Sequence, residues 1–292
     1  MRHLRLPFNL LLSPLFFWGA WWATAGAPGA LDPWRLAVAW VTLHVFLYGG
    51  TTALNSFYDR DEGPIGGLAE PPPVDRGLLA WSWWVQLAGA PLAAWVGGPF
   101  LAVWIALLLV ATAYSHPVTR WKAAPAAALA AVGLGQGGLG AIAGAWAVRP
   151  TWPQAWALLT TPTAAAYLLV AALLVLALYV VSQACQVEED RRRGDRMLPV
   201  LLGARRALRV AAAVAAVGGA ALAGLVALRA GVAWGLAVAA FLAALGAWQL
   251  RWTARFDERD VLGSFRTAMR FVAVAGVGLS SLLLALLVGA PG

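Results

Sequence analysis

Long apolar stretches separated by short polar segments run along the whole chain. Nine of them approach the roughly 20 apolar residues that a helix needs to cross a membrane, at about residues 8–26, 34–58, 79–97, 98–115, 124–147, 161–187, 206–228, 231–250 and 265–289. No long linker divides them. The pattern predicts an all-α, polytopic membrane protein with about nine transmembrane helices in a single domain over residues 1–292.

Two acidic clusters interrupt this pattern, and each closes a long apolar stretch. The first is NSFYDRDEGPIGGL at residues 55–68, and the second is QACQVEEDRRRGD at residues 183–195. Carboxylates at the end of a membrane helix are costly to keep, which makes them candidates for function. The clusters end the second and sixth stretches, an offset that preserves membrane orientation. We therefore expect two similar four-helix halves plus one further helix.

Composition agrees with a membrane protein and limits the partners. The chain is 61% hydrophobic and 12% charged, with a mean hydropathy of +0.73, well outside the range of soluble domains. Its net charge of +8 comes from basic residues in short loops beside the spans, which is typical of topology signals and contacts with the lipid bilayer. We expect no nucleic-acid partner. A single cysteine excludes an internal disulfide and a cysteine metal cage.

The distribution of Lys and Arg predicts the orientation in the membrane. With a cytoplasmic N-terminus, 18 of the 21 basic residues lie on the cytoplasmic side, and only Arg35, Arg149 and Arg229 lie outside. Positive residues are retained in cytoplasmic loops. We therefore expect a multi-pass protein of the inner (plasma) membrane whose N-terminus and acidic clusters face the cytoplasm.

The first cluster contains oxygen ligands at helical spacing. Asn55, Asp59 and Glu62 are spaced at i, i+4 and i+7 and share one stripe if the helix continues, whereas Asp61 points away. Carboxylate and amide oxygens are hard ligands suited to Mg²⁺. The alternative is an acidic, solvated helix end without a ligand.

The second cluster repeats the arrangement. Tyr179, Gln183, Gln186 and Asp190 fall on one stripe at i, i+4, i+7 and i+11, with Glu189 to one side. Glutamines inside a membrane helix need partners. Their amides could bind a metal, donate to a phosphate, or only tie helices together.

Basic side chains near the clusters could bind an anion. Lys122 and Arg120 lie in the loop YSHPVTRWKAAP at residues 114–125, where Lys can act as a point charge on phosphate. Arg193 is the best candidate of the RRR run, because it is three residues after Asp190, although such runs are more often topology signals.

Two other features of the apolar stretches invite an interpretation. His44 lies eleven residues before Asn55 on the same helical face, with Tyr48 between them, and these two could line a substrate pocket below the ligands. An equally good alternative is a histidine hydrogen-bonded to a neighbouring helix. The glycine-rich stretch at residues 133–144 is predicted to pack helices closely rather than to bind a ligand.

Together these features resemble the UbiA superfamily of intramembrane prenyltransferases. The resemblance covers essentially the whole chain. It includes an N-x-x-x-D-x-x-x-D type motif after the second span, a Tyr/Ser and Lys loop after the fourth, and a D-x-x-x-D type motif after the sixth. The last motif is followed by a basic phrase that is GDRMLPVLLG at residues 194–203 here. Each motif alone is weak, but the combination is specific.

The resemblance implies ligands residue by residue. Asn55 and Asp59 match the first two positions of the first motif, and Asp190 matches the second aspartate of the later motif. Two positions depart from the family pattern, because its third acid falls on Gly63 and its later first aspartate on Gln186. The loop phrase resembling R-P-[IL]-x-x-G is also altered, to EPPPVDRG.

Neighbouring acids could compensate for the two departures. By the helical argument Glu62 could replace the carboxylate missing at Gly63, and Glu189 could compensate near Gln186. The predicted site is therefore as follows: catalytic Asp59, Asp190 and Lys122; metal ligands Asn55, Asp59, Glu62, Asp190 and Glu189; diphosphate ligands Lys122, Arg120, Arg193 and Gln186; and pocket residues His44, Tyr48, Tyr179 and Gln183.

The implied function is prenyl transfer assisted by Mg²⁺. The resemblance implies ionisation of a polyprenyl diphosphate and capture of the prenyl group by a hydrophobic acceptor, such as an aromatic, a quinone precursor or a lipid. One alternative is a membrane terpene synthase of the same superfamily, which cyclises the substrate without an acceptor. Another is a transporter or lipid-binding protein, because buried polar residues on paired helices also fit alternating access.

Overall fold

The computed structural model describes residues 1–25 and 31–289. Within these ranges the chain is helical and contains no strand, only one isolated bridge between Ile65 and Leu68. This confirms the predicted all-α class. Residue 26, the last of the first predicted span, lies outside the described residues. The division into two similar halves stays a prediction.

Fifteen α-helices follow one another along the described chain. They are α1 Leu6–Leu10, α2 Ser13–Ala23, α3 Pro33–Val41, α4 Tyr48–Asp59, α5 Gly77–Val96, α6 Gly98–Ser115, α7 Pro125–Ala130, α8 Gly140–Val148, α9 Trp152–Leu159, α10 Ala164–Gln183, α11 Val187–Arg193, α12 Leu198–Leu202, α13 Ala204–Ala230, α14 Val232–Ala254 and α15 Val261–Val288. Two π-helices, Thr42–Leu47 and Ala131–Leu139, join α3 to α4 and α7 to α8.

The predicted count of nine spans is not confirmed. Among the described residues, seven helices are long and apolar enough to cross a membrane. The first predicted span is broken into α1 and α2, because the chain turns at Leu11 and Leu12. The third corresponds to α5, which has 20 residues, but its four tryptophans and Gln86 lower its hydropathy.

Close contact between α2 and α8 depends on two glycines. A Cβ atom at Gly144 would lie 1.8 Å from the carbonyl oxygen of Phe16, and one at Gly19 would lie 1.7 Å from that of Ala141. Backbones can approach this closely only where no side chain intervenes. The predicted packing role of the glycine-rich stretch is thus confirmed at Gly144, and also at Gly137, which lies against Ala172 of α10.

We predict that Gly144→Ala destabilises the protein by about 1–3 kcal/mol, as overpacking does, because the new methyl group meets the Phe16 carbonyl. Thermal unfolding in detergent measures the loss. Gly246→Ala in α14 is the matched control, since nothing lies within 4 Å of a Cβ atom there. Equal melting temperatures for the two variants would contradict the close approach of α2 and α8.

Candidate active site

The ends of α4 and α10 open onto one cavity of about 260 Å³. One end of the cavity, the charged upper end, is lined by residues of the acidic clusters and by basic side chains. The rest of the cavity, its apolar body, is lined by side chains such as Leu107, Val132 and Val175. Two clusters more than a hundred residues apart in sequence therefore share one site. A smaller apolar cavity of about 30 Å³ adjoins it and shares four of its lining residues, Leu11, Leu12, Val175 and Leu178.

The first cluster is organised around Asp59, the last residue of α4. Asn55 donates its amide to Asp59 Oδ2 over 2.8 Å, one helical turn away, and to Ser115 Oγ over 3.2 Å. Lys122 Nζ forms an ion pair with Asp59 Oδ1, and its side chain is buried. A buried ammonium needs a charged partner, so the loop after α6 is held against the end of α4.

The predicted stripe through Glu62 is wrong, because α4 ends at Asp59. Arg60 takes a left-handed conformation with φ of 49°, which turns the chain out of the helix. Glu62 is exposed and does not line the cavity, whereas Asp61 does. The prediction assumed that the helix continues past Asp59. It therefore placed Glu62 towards the site and Asp61 away from it.

Asp61 links two arginines that lie far apart in the sequence. Arg193 of α11 donates to Asp61 Oδ1 over 2.7 Å, and Arg5 Nη2 lies 3.7 Å from Asp61 Oδ2. Arg5 also donates to Ser56 Oγ over 2.7 Å, and its Nε has no hydrogen-bond partner among the described residues. Burial lowers the pKa of Arg5 to about 10, which leaves it charged at neutral pH. Sequence reasoning missed both Asp61 and Arg5.

The second cluster is not one continuous stripe, since α10 ends at Gln183 and α11 begins at Val187. Nevertheless Tyr179, Gln183, Gln186 and Asp190 all line the cavity. The turn between the helices replaces the predicted helical register. Tyr179 shares a hydrogen bond of 3.1 Å with the hydroxyl of Tyr114, a cavity residue that sequence reasoning did not single out.

Asp190 is the cavity carboxylate whose negative charge is least compensated by neighbouring groups. It is 6% exposed, and Oδ2 has no hydrogen-bond partner within the described chain. Burial, reinforced by the nearby carboxylate of Asp195, raises the pKa of Asp190 to about 7. A cation next to this oxygen would favour the ionised form. Of the carboxylates that line the cavity, Asp190 is thus the one most suited to an additional positive charge.

Glu189 lies against the position where the resemblance implies a missing acid. A Cβ atom at Gly63 would be 2.9 Å from Glu189 Oε2, and Glu189 Oε1 accepts the backbone N–H of Glu62 over 3.0 Å. Glu189 also pairs with Arg193. Its carboxylate therefore occupies the space beside Gly63, although Glu189 is not among the residues that line the cavity.

Two further predicted residues lie outside the cavity lining. Arg120 forms an ion pair of 2.9 Å with Asp195, which is buried and does line the cavity. His44 is fully buried between the rings of Phe16 and Tyr48, and its Nδ1 lies 2.9 Å from the carbonyl of Trp40. The prediction that His44 lines the pocket is wrong, because the π-helix at Thr42–Leu47 changes the register on which it rested.

The remaining predicted residues meet at the cavity. They are Tyr48, Asn55, Asp59, Lys122, Tyr179, Gln183, Gln186, Asp190 and Arg193. Their chemical roles stay predictions.

The oxygen atoms of this site fit a metal that shares its ligands with a substrate. No group of three His, Cys, Asp or Glu side chains within residues 1–25 and 31–289 is close enough to hold a metal ion by itself. Mg²⁺ does not need one, since it is usually bound by one or two carboxylates, waters and substrate phosphates. Among the described residues Asp190 Oδ2 has no partner, and Asp59, whose carboxylate is held by Lys122 and Asn55, lines the same cavity. These two carboxylates are the candidates for such a donor set.

Comparison with known proteins gives a family and a fold. The model of the UbiA prenyltransferase family matches residues 12–275. A solved apo structure of a UbiA homolog from Aeropyrum pernix K1 aligns with a TM-score of 0.64 at 21% identity, covering 92% of this chain and 96% of that one. A UbiA homolog from Archaeoglobus fulgidus bound to GPP and Mg²⁺ aligns with a TM-score of 0.61 at 18% identity, covering 96% and 100%.

A third solved structure, of digeranylgeranylglyceryl phosphate synthase, aligns with a TM-score of 0.55 at 16% identity over 99% of both chains. At these identities the structures establish the fold alone. No curated protein matches the chain.

We predict that Asp61→Asn destabilises the protein by about 3 kcal/mol, because it removes the buried carboxylate that pairs with Arg5 and one of the two carboxylates that pair with Arg193. Glu62→Gln, one residue further on, is the matched control. Its exposed side chain should change stability by less than about 0.5 kcal/mol. Both are measured by thermal unfolding in detergent, and equal effects would contradict the assignment of Asp61 to the site.

Proposed function

This chain belongs to the UbiA prenyltransferase family, and we propose that it transfers a prenyl group from a polyprenyl diphosphate to a hydrophobic acceptor inside the membrane. The observation that carries the proposal is the shared cavity, whose charged upper end and apolar body match the two ends of such a donor. The Archaeoglobus fulgidus homologs bound to GPP and Mg²⁺, and to DMAPP and Mg²⁺, support this class of substrate.

Mg²⁺ would be held by the carboxylates of Asp59 and Asp190, with the amide oxygens of Asn55 and Gln186 near them. When bound, it supplies positive charge that stabilises a diphosphate as a leaving group. Glu189 has its carboxylate beside Gly63, the family position that lacks an acid here, and Asp61 lies two residues before Gly63 in the sequence. We assign them to holding Arg193 rather than to the metal, because both already pair with it.

Three buried or half-buried cations line the charged end and would bind the diphosphate: Arg5, Lys122 and Arg193. Each is paired with a carboxylate of the same cavity, so donor binding exchanges a carboxylate partner for phosphate oxygens. Lys122 offers a point charge, whereas the arginines offer planar pairs of N–H donors. Such preformed charges stabilise the departing group without reorganisation.

The transfer step needs no nucleophile from the protein. The allylic C–O bond of the donor breaks, and its electron pair leaves with the diphosphate. An electron pair of the acceptor forms the new bond to the allylic carbon, and the proton that the acceptor loses goes to the released diphosphate. Apolar walls such as Leu107 and Val132 exclude water from the cationic carbon.

The prenyl tail would lie along the apolar body and extend towards the adjoining small cavity. That cavity is lined only by Leu, Val, Ala, Pro, Gly and Trp residues, among them Leu15, Trp18 and Leu222. The single indole N–H there, from Trp18, already donates to the Tyr167 carbonyl over 2.9 Å. A hydrocarbon chain therefore meets no unpaired polar group in this direction.

We predict that purified protein with Mg²⁺ and a prenyl diphosphate releases diphosphate and forms a prenylated lipid, and that Asp59→Asn or Asp190→Asn abolishes both. Arg193→Gln should lower kcat/KM by about 10²-fold, the usual loss for one charge-stabilising donor. Arg192→Gln is the matched control, because that side chain is exposed. Mass spectrometry of the lipids and a diphosphate assay give the result. Turnover in excess EDTA, or equal effects of the two arginine variants, would overturn the assignment.

Membrane orientation is a second part of the proposal. Two of the three arginines assigned to the outer side bind the C-terminal end of α2, where Arg149 Nε donates to the Ala23 carbonyl over 3.0 Å and Arg229 Nη2 to Thr24 Oγ1 over 2.7 Å. The third, Arg35, pairs with Asp32 over 3.5 Å. These exceptions to the charge rule therefore have local partners, and we propose a cytoplasmic N-terminus in the inner (plasma) membrane from the distribution of the other 18 basic residues.

We predict that cysteines at the exposed positions Glu62 and Val118, in a Cys185→Ser background, react with an impermeant thiol reagent only after the cytoplasmic side is opened. Cysteines at Trp34 and Val232, also exposed, should react in intact cells. The opposite labelling pattern would refute the orientation and leave the reaction chemistry untouched.

A further inference from the structure

The small apolar cavity continues the main cavity along α10. Gln183 lines only the main cavity, Val175 lines both cavities, and Ala171 lines only the small one. From Gln183 to Ala171 the helix rises by about 18 Å, since each residue adds about 1.5 Å. An extended isoprene unit has four carbon–carbon bonds of about 1.5 Å along its chain and spans roughly 5 Å. The distance from the charged upper end to Ala171 therefore matches about three isoprene units.

Two further helices extend the lining in the same direction. Along α2 it reaches Trp18, and along α15 it passes from Val272 in the main cavity to Leu283 in the small one. None of the residues that line the small cavity is exposed. Gly276 of α15 packs on the turn before α2, because a Cβ atom there would lie 2.7 Å from the Leu11 carbonyl oxygen. The small cavity is therefore enclosed by these helices.

Trp18 belongs to an aromatic cluster that the sequence WGAWW at residues 18–22 forms with Tyr167. The Trp18 ring lies 5.4 Å from the ring of Trp21 and 4.7 Å from that of Tyr167. Trp22 stacks on Tyr167 at 5.4 Å. All four residues are buried, and of the four only Trp18 lines the small cavity. Since its N–H also donates to the Tyr167 carbonyl over 2.9 Å, the Trp18 ring is held in place from the side away from the charged upper end.

The free space beside Trp18 is limited. The small cavity measures about 30 Å³. A group the size of a water molecule or a methyl needs about 10–15 Å³ of such space, so about two or three of them fit. A hydrocarbon chain can therefore end in this cavity, but it cannot pass Trp18 without displacing the ring from its cluster.

We propose that Trp18 limits the length of the prenyl donor, because its indole ring closes the site of the tail. The inference rests on the proposed prenyl transfer, and it names the donor as a diphosphate of up to about three isoprene units. Geranyl and farnesyl tails fit the distance along α10. A fourth unit brings the extended tail to roughly 20 Å, which exceeds the distance to Ala171.

Isothermal titration with non-hydrolysable thiolodiphosphates tests the proposal without requiring turnover. The probes are the geranyl, farnesyl and geranylgeranyl compounds, each added with Mg²⁺ to the purified full chain. Each affinity is compared between variant and wild type for the same probe, which cancels the partition of that probe into detergent. Trp18→Ala removes an indole ring, which has more non-hydrogen atoms than one isoprene unit. It should tighten geranylgeranyl binding about tenfold, as burial of about two further methylene groups would, and should leave geranyl binding unchanged.

Two further variants make the test specific. Trp22→Ala is the matched control, because Trp22 is an equally buried tryptophan of the same cluster and lines neither cavity. It should leave the affinities for all three probes in their wild-type ratio. Ala171→Val works in the opposite direction, since it adds two methyl groups where about two or three fit. It should weaken farnesyl binding about tenfold and leave geranyl binding unchanged.

Equal changes of geranylgeranyl affinity in Trp18→Ala and Trp22→Ala would overturn the proposal, because the tail would then not end at Trp18. If Trp18→Ala does not fold, unchanged farnesyl affinity in Ala171→Val overturns it alone. Both results leave the proposed function intact, since the probes still bind. Absence of binding by all three probes in the wild type would instead refute the proposed donor, and the limit on its length with it.

Discussion

The ionic contacts at the end of the membrane helices are the constraint on which the rest of this structure depends. A carboxylate removed from water needs a partner of opposite charge, or it takes up a proton. Asp59 and Asp61 have such partners in Lys122, Arg5 and Arg193. Asp190 has none at Oδ2 among the residues that the structure describes, and burial raises its pKa.

These pairs also determine which segments must come together. Arg5 precedes the first long helix, Lys122 follows α6, and Arg193 ends α11, so three distant parts of the chain are held around the end of α4. The charged end of the cavity is thus an assembly of loops and helix ends. Regular helices surround it, and close contacts such as that of Gly144 with Phe16 keep their backbones near one another.

Departures from regular helix occur where side chains face the cavity. The left-handed Arg60 ends α4 after Asp59, and the turn after Gln183 brings Asp190 to the cavity. The first π-helix ends directly before Tyr48, and the second contains the cavity residue Gln136. Each departure changes the direction of the side chains that follow it. These breaks therefore allow charged side chains to line one end of the cavity, while apolar side chains line the rest of it.

The sequence by itself determined the helical class, the approximate extent of the spans and the two acidic clusters, because these depend on hydrophobicity averaged over many residues. It also gave Asp59, Asp190 and Lys122 as candidates, since a charge beside an apolar stretch is visible without coordinates, and all three line the cavity. Only the tertiary structure decided that Asp61 and not Glu62 enters the cavity, because one left-handed residue redirects both. It likewise revealed Arg5, whose partner Asp61 is 56 residues away. Periodicity describes neighbours along one helix, whereas contacts across a cavity depend on where each helix ends.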